Sequence, residues 1–161
     1  MKGISPIVGV VLLIAITIST IFLAFNMGGP AVDRAKEVLV MQEGKSILLD
    51  IKNSVNSVLI EGNMSTRLLE FRIIDGNLKI DEDNDAVTFS MNTQAQIIGV
   101  GISKIEDGIN ITGSTGLIQL NLTFDNVDVV GSLDMGKGTR KLTIRNEGYN
   151  SILQKQSIYF S

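Results

Sequence analysis

Residues 4–25 read ISPIVGVVLLIAITISTIFLAF. About 22 consecutive positions hold no charge, and a helix rising 1.5 Å per residue would make that run roughly 33 Å long, enough to cross the hydrocarbon layer of a bilayer. One cation, Lys2, precedes it, and the next ionisable residue is Asp33. A positive flank favours the cytoplasmic side, so the amino end stays inside and the rest of the chain is carried out. The whole chain has 161 residues, 44% of them hydrophobic and 5% aromatic, with a formal net charge of -3. The positive mean hydropathy of +0.27 comes from this one segment, and the remainder has the length of one ordinary domain.

The segment has three competing readings. A cleaved secretory signal expects a shorter apolar region ending in small residues, whereas this run ends in Phe25-Asn26-Met27-Gly28. An uncleaved signal anchor with an external domain agrees with hydropathy alone. The third reading uses the residues at the start of the run.

Those residues, Lys2-Gly3-Ile4-Ser5-Pro6-Ile7-Val8-Gly9-Val10-Val11-Leu12-Leu13, resemble the start of archaeal type IV pilins with class III signal peptides. The resemblance covers the leader and apolar helix closely and the remainder in general layout. It implies a basic leader, residues 1–3, removed by a prepilin peptidase between Gly3 and Ile4, with Lys2, Gly3 and Ile4 as the processing residues. The retained helix, residues 4–27, would lie in the membrane before assembly and then form a filament core through Ile7, Val8, Val11, Leu12, Ile14, Ile18, Phe22 and Phe25. The implied partners are further copies of the same chain in a helical homopolymer, the peptidase, a pilus assembly ATPase and a membrane platform protein. Bacterial pilins carry an acidic residue at the fifth mature position, where this chain has Val8. Archaeal relatives commonly lack it too.

Elementary chemistry supports keeping such a segment. An uncharged helix can exchange lipid for the apolar flanks of identical helices. Gly9 and Ala15 permit close approach, while Thr17, Ser19 and Thr20 can return their hydroxyls to helix carbonyls. Pro6 falls in the first helical turn of the cleaved chain, where its missing N–H costs nothing.

Gly28-Gly29-Pro30 predicts a kink or a locally melted turn. From there to residue 60, Ala31, Ala35, Val38, Met41, Gly44, Leu48, Ile51, Val55 and Val58 recur at spacings of three and four, drawing one apolar stripe along a helix. Arg34, Lys36, Glu43, Lys45, Asp50 and Lys52 occupy the side expected to stay wet. A coiled-coil stalk is an alternative; Gly44 is a poor seam residue and favours packing under the following domain.

From residue 61 to 161 the period falls to two. Leu69, Phe71 and Ile73 alternate with polar residues, as do Val87, Phe89 and Met91, then Leu120, Leu122 and Phe124, then Leu142 and Ile144. Turn signals stand at Asp75-Gly76-Asn77, Asp83-Asn84-Asp85, Asp107-Gly108, Gly113-Ser114-Thr115-Gly116, Gly136-Lys137-Gly138 and Glu147-Gly148. The fold class expected is α+β: a long hydrophobic then amphipathic helix, followed by about eight antiparallel strands in a small sandwich or meander head.

The composition leaves little for catalysis. Cys, His and Trp are absent, which removes disulfides, thiolate and imidazole metal sites, and nucleophilic mechanisms needing Cys or a His base. Without a basic patch, nucleic acid is not an expected partner. Residues 131–138 approach phosphate-loop spacing, but Gly138 replaces the magnesium-holding Ser or Thr and a strand pattern follows, so a hairpin turn is expected. Asp81, Asp83 and Asp85 begin like a calcium loop, yet Ala86 and Asn92 occupy the Gly and Glu positions, so a solvated turn is favoured over weak calcium binding. No cofactor and no catalytic residue is expected. Asn63, Asn110 and Asn121 head three glycosylation sequons, all external in this topology. The sequence thus leads to a surface-filament subunit used for adhesion or attachment. Its alternatives are an archaellin and a membrane-anchored external binding domain that never polymerises.

Overall fold

The computed structural model describes residues 6–95 and 97–161. A single helix, α1 (Pro6–Glu61), contains 56 residues and is about 84 Å long at 1.5 Å per residue. Its first half is rich in β-branched Val, Ile and Thr, which are indifferent helix formers in water. In lipid, however, a lone segment can satisfy its backbone only as a helix. Its second half closes on a left-handed residue: Gly62 has φ +94°, and its N–H donates to the Val58 carbonyl at 3.2 Å.

Of the kink or locally melted turn expected at Gly28-Gly29-Pro30, the melted turn is not found, because α1 continues through all three residues. Both glycines keep negative φ. Proline removes a single donor, and the turns on either side keep their own hydrogen bonds, so one missing link does not end the helix.

Eight strands follow: β1 (Thr66–Asp81), β2 (Ala86–Asn92), β3 (Ser103–Glu106), β4 (Ile109–Ser114), β5 (Leu117–Thr123), β6 (Val127–Val130), β7 (Leu133–Asn150) and β8 (Lys155–Phe160). They form one mixed sheet in the order β3-β4-β5-β2-β1-β7-β8-β6. The protein is therefore α+β with a long amino-terminal helix, while the expected antiparallel sandwich or meander head is corrected in two respects. The strands share one sheet, and β6 runs parallel to β8.

Three turn signals also read differently in space. Asp75-Gly76-Asn77 lies inside the 16-residue β1, at a register shift between Ile73 and Asn77. Gly136-Lys137-Gly138 lies inside β7, where Ile73 faces Gly138 and Asn77 faces Gly136. Neither a phosphate loop nor a hairpin turn forms at residues 131–138. Glu147-Gly148 likewise marks a bulge in β7. Here glycine's positive φ serves to bend a long two-stranded ribbon rather than to reverse it.

The core lies between one face of the sheet and the carboxyl half of α1. Gly44, Ile47, Leu48, Ile51, Val55 and Val58 are buried on the helix, against Ile73, Leu78, Ile80, Val87, Phe89, Leu120, Leu142 and Ile144 from the strands. Gly44 sets the separation, since a Cβ there would lie 2.3 Å from Cδ1 of Phe89. The alternative of a free coiled-coil stalk is excluded for this half of α1, because its apolar stripe is spent on its own head.

Candidate functional site

The feature that intrachain packing leaves unexplained is the other half of the same helix. Every residue from 6 to 36 is exposed, including all eight expected for the filament core: Ile7, Val8, Val11, Leu12, Ile14, Ile18, Phe22 and Phe25. Phe25 is 78% exposed and Ile7 74%. Single exposed apolar residues are ordinary, whereas an uncharged surface running round a helix for about seven and a half turns, Pro6 to Val32, marks a face suited to lipid or another protein. The described residues contain one helix long and apolar enough to cross a membrane, and it is this one.

Its polar groups are arranged for dry surroundings. The hydroxyls of Thr17, Ser19 and Thr20 each donate to the carbonyl four residues back at 2.8 Å, and Asn26 Nδ2 donates to Phe22 at 3.1 Å. Each returned bond removes a donor that hydrocarbon could not satisfy. Ala24, Phe25, Gly28, Gly29, Val32 and Asp33 line a shallow, mainly apolar groove of about 420 Å³. A Cβ placed on Gly28 or Gly29 would meet nothing within 4 Å. Close intrachain approach explains Gly44 and leaves these two unexplained. The expected processing residues Lys2, Gly3 and Ile4 lie outside the described residues.

The two halves meet at a belt of polar clamps that sequence patterning missed. Glu37 is the first residue along α1 whose side chain bonds to the head. Its carboxylate accepts from Thr93 Oγ1 at 2.5 Å, Gln94 N at 2.7 Å and Ala95 N at 3.2 Å. Desolvation pushes the Glu37 pKa up, but these three donors outweigh it and hold it below the usual value. Glu43 accepts from Ile74 N at 3.2 Å, beside the β1 bulge. Lys45 reaches Glu106 at 2.9 Å and Asp107 at 2.7 Å, while Lys52 donates to the Asp107 carbonyl at 2.8 Å. Pairing with Lys45 lowers both carboxylates, and Lys45 itself is raised, with Asp107 the larger cause. Residues assigned to a wet face thus tie the β3–β4 turn to the helix. The signal for this was weak: acidic and basic residues adjoining the stripe, with Asp107-Gly108 far along the chain.

The calcium candidate resolves into structural contacts. Asp85 Oδ1 accepts from Val129 N at 2.9 Å, and its Oδ2 pairs with Lys155 at 2.5 Å. Asp81 accepts from Asn84 at 3.1 Å, which with Lys79 lowers its pKa. Among the described residues no group of three or more carboxylates is placed to hold a metal ion. Asp85 instead occupies the Val129 N–H of the edge strand β6, and Glu82 accepts from Gly131 N, just past that strand, at 3.1 Å; occupied donors blunt an edge against pairing.

The sequon asparagines occupy two places. Asn63 is exposed in the turn after α1, with its amide against Gly148. Asn110 and Asn121 are direct partners across β4 and β5.

The chain matches no protein-family model, no curated protein and no solved structure. Any reading of its use therefore stands on its own residues.

Proposed function

We propose that this chain is the structural subunit of a cell-surface filament of the archaeal type IV pilin kind, serving adhesion or surface attachment, and that its work is assembly rather than turnover. One observation carries the reading. A single helix has one half covered by its own β head and the other half, uncharged from Pro6 to Val32, left wholly exposed.

That asymmetry is what a filament subunit requires. Before assembly the free half rests in the membrane, where its apolar flank costs nothing and its hydroxyls are already paired. On assembly it exchanges lipid for the flanks of neighbouring copies, and the head, with the charged carboxyl half of α1, faces water. Head-to-tail stacking of identical units, rather than closed pairing, gives an open helical polymer. The leader string Lys2-Gly3-Ile4-Ser5-Pro6 supplies the processing step: a prepilin peptidase removes residues 1–3, and an assembly ATPase with its platform protein extracts the subunit from the membrane.

Negative-stain imaging of material sheared from the cell surface, compared with a deletion strain, tests this. The expected result is filaments that contain the chain, lost on deletion while swimming persists. Loss of swimming with the filaments would assign the chain to a motility filament. Cells that display the head but yield no filament containing it would leave a simple membrane-anchored domain, contradicting the proposal.

A further inference from the structure

We infer that Asn110 carries an N-linked glycan and that this glycan keeps its cross-strand partner Asn121 unmodified. The inference rests on the export of the head contained in the reading above, but not on polymerisation.

Both residues head sequons, Asn110-Ile111-Thr112 and Asn121-Leu122-Thr123. Sequence shows them eleven positions apart; the register places them directly opposite each other on β4 and β5. Their neighbours Ile109, Ile111, Leu120 and Leu122 are buried against the helix side. Alternation therefore puts both amides on the opposite, water-facing side of the sheet. Direct partners in an antiparallel pair have Cβ atoms about 5 Å apart. A sugar ring is wider than that gap, so one glycan fills the space that a second would need.

The surroundings choose between them. Asn110 is exposed, and only the four-residue edge strand β3 lies beyond it. Its across-strand neighbour there is Ile105, itself 75% exposed. Asn121 is half-buried on an inner strand, between β4 and β2, and its Oδ1 accepts from Thr88 Oγ1 at 3.1 Å. The Asn110 amide is oriented by Ser103 Oγ, which donates to Oδ1. That leaves Nδ2, the atom that is modified, directed away from the hydroxyl. Thr112 and Gln119 complete an uncharged hydroxyl and amide surface suited to lying under a saccharide.

The transfer balances without redox chemistry. Nδ2 of Asn110 attacks the anomeric carbon of a membrane lipid-phosphate-linked oligosaccharide. A C–N bond forms, the anomeric C–O bond breaks, the lipid phosphate leaves with its electron pair, and one amide proton passes to a base of the transferase. A chain modified at both sites would have to force two sugars into one gap to pair β4 with β5.

The test uses protein from the cells that make it. Trypsin cuts after Lys104 and Lys137 with no Lys or Arg between, so the peptide 105–137 carries both sequons and its mass counts glycans directly. The expected result is one glycan per peptide, placed on Asn110 by fragmentation, retained in N121Q and lost from this site in N110Q. An unmodified peptide, two glycans together, or a single glycan on Asn121 would each overturn the inference. Protease shaving of intact cells separates the two levels. A head released by shaving but unmodified defeats only this inference, whereas a head that protease never reaches defeats the export on which it rests.

Discussion

The two halves of α1 use the same secondary structure for opposite ends. In the carboxyl half, Gly44 exists so that Phe89 can lie on the backbone, and Leu48, Ile51, Val55 and Val58 are fully buried by the chain itself. In the amino half, Gly28 and Gly29 leave open space, and residues as large as Phe22 and Phe25 cover nothing. Glycine inside a helix costs about 1 kcal/mol relative to alanine. Packing within the chain offsets that cost at Gly44, and nothing within the chain offsets it at Gly28 or Gly29. Under the proposed function, folding and assembly fall to separate stretches of one continuous helix, and substitutions can be made to affect one without the other.

The largest effect is expected in the covered half. Leu48→Ala should destabilise the head by about 2–5 kcal/mol through lost burial and a residual cavity, read by denaturant unfolding of the detergent-solubilised chain, with membrane insertion unchanged. The exposed half should respond in reverse. Leu12→Asp should cost about 3 kcal/mol at the bilayer centre and prevent filaments, while the head unfolds at the wild-type midpoint; normal filaments from this variant would refute the core assignment. Gly44→Ala should cost about 1–3 kcal/mol, because the rigid Phe89 ring must move. Gly29→Ala should leave head stability unchanged, and equal effects at the two glycines would erase the distinction between the halves. At the boundary, Thr93→Ala should cost about 1 kcal/mol by leaving Glu37 one donor short, seen as faster hydrogen exchange at Gln94 and Ala95.

A smaller, graded effect separates the halves by pH. Glu37, Asp81, Glu106 and Asp107 are all held below their ordinary values, 4.5 for glutamate and 3.8 for aspartate. Their contribution is complete above those values and lost as pH falls through the lower folded ones. Lys45 and Lys155 are raised, the latter chiefly by Asp85, so their contribution is complete below 10.5 and lost as pH rises beyond it. Head stability should be flat near neutrality and fall on both sides. The span from Pro6 to Val32 has no charged side chain to titrate, and its helicity in micelles should not change across the same range.

The helix was legible because its signals are local. An uncharged run, a three-four stripe and a glycine too small for a seam can each be read from neighbours in sequence. The turns at Asp83-Asn84-Asp85, Asp107-Gly108 and Thr115-Gly116 were legible for the same reason. Asp75-Gly76-Asn77 was misread because a bulge and a hairpin turn both demand positive φ, and Gly76 at +103° supplies it for either. The parallel pairing of β6 with β8 was not legible, since alternation records which side faces the core and carries no strand direction. The clamps from Glu37, Lys45 and Lys52 were hidden because their partners lie more than fifty residues away. In the amino half of α1, composition revealed the apolar face, whereas the glycine contrast needed the head in place to show which glycines were already used.

If the exposed half of α1 is a processed assembly surface, it stays on the chain after the leader is removed. Mass determination of the chain recovered from sheared surface filaments tests it most directly. The expected subunit lacks Met1, Lys2 and Gly3 and begins at Ile4. Filament subunits that still begin at Met1, or that have lost the whole segment through Phe25, would contradict it.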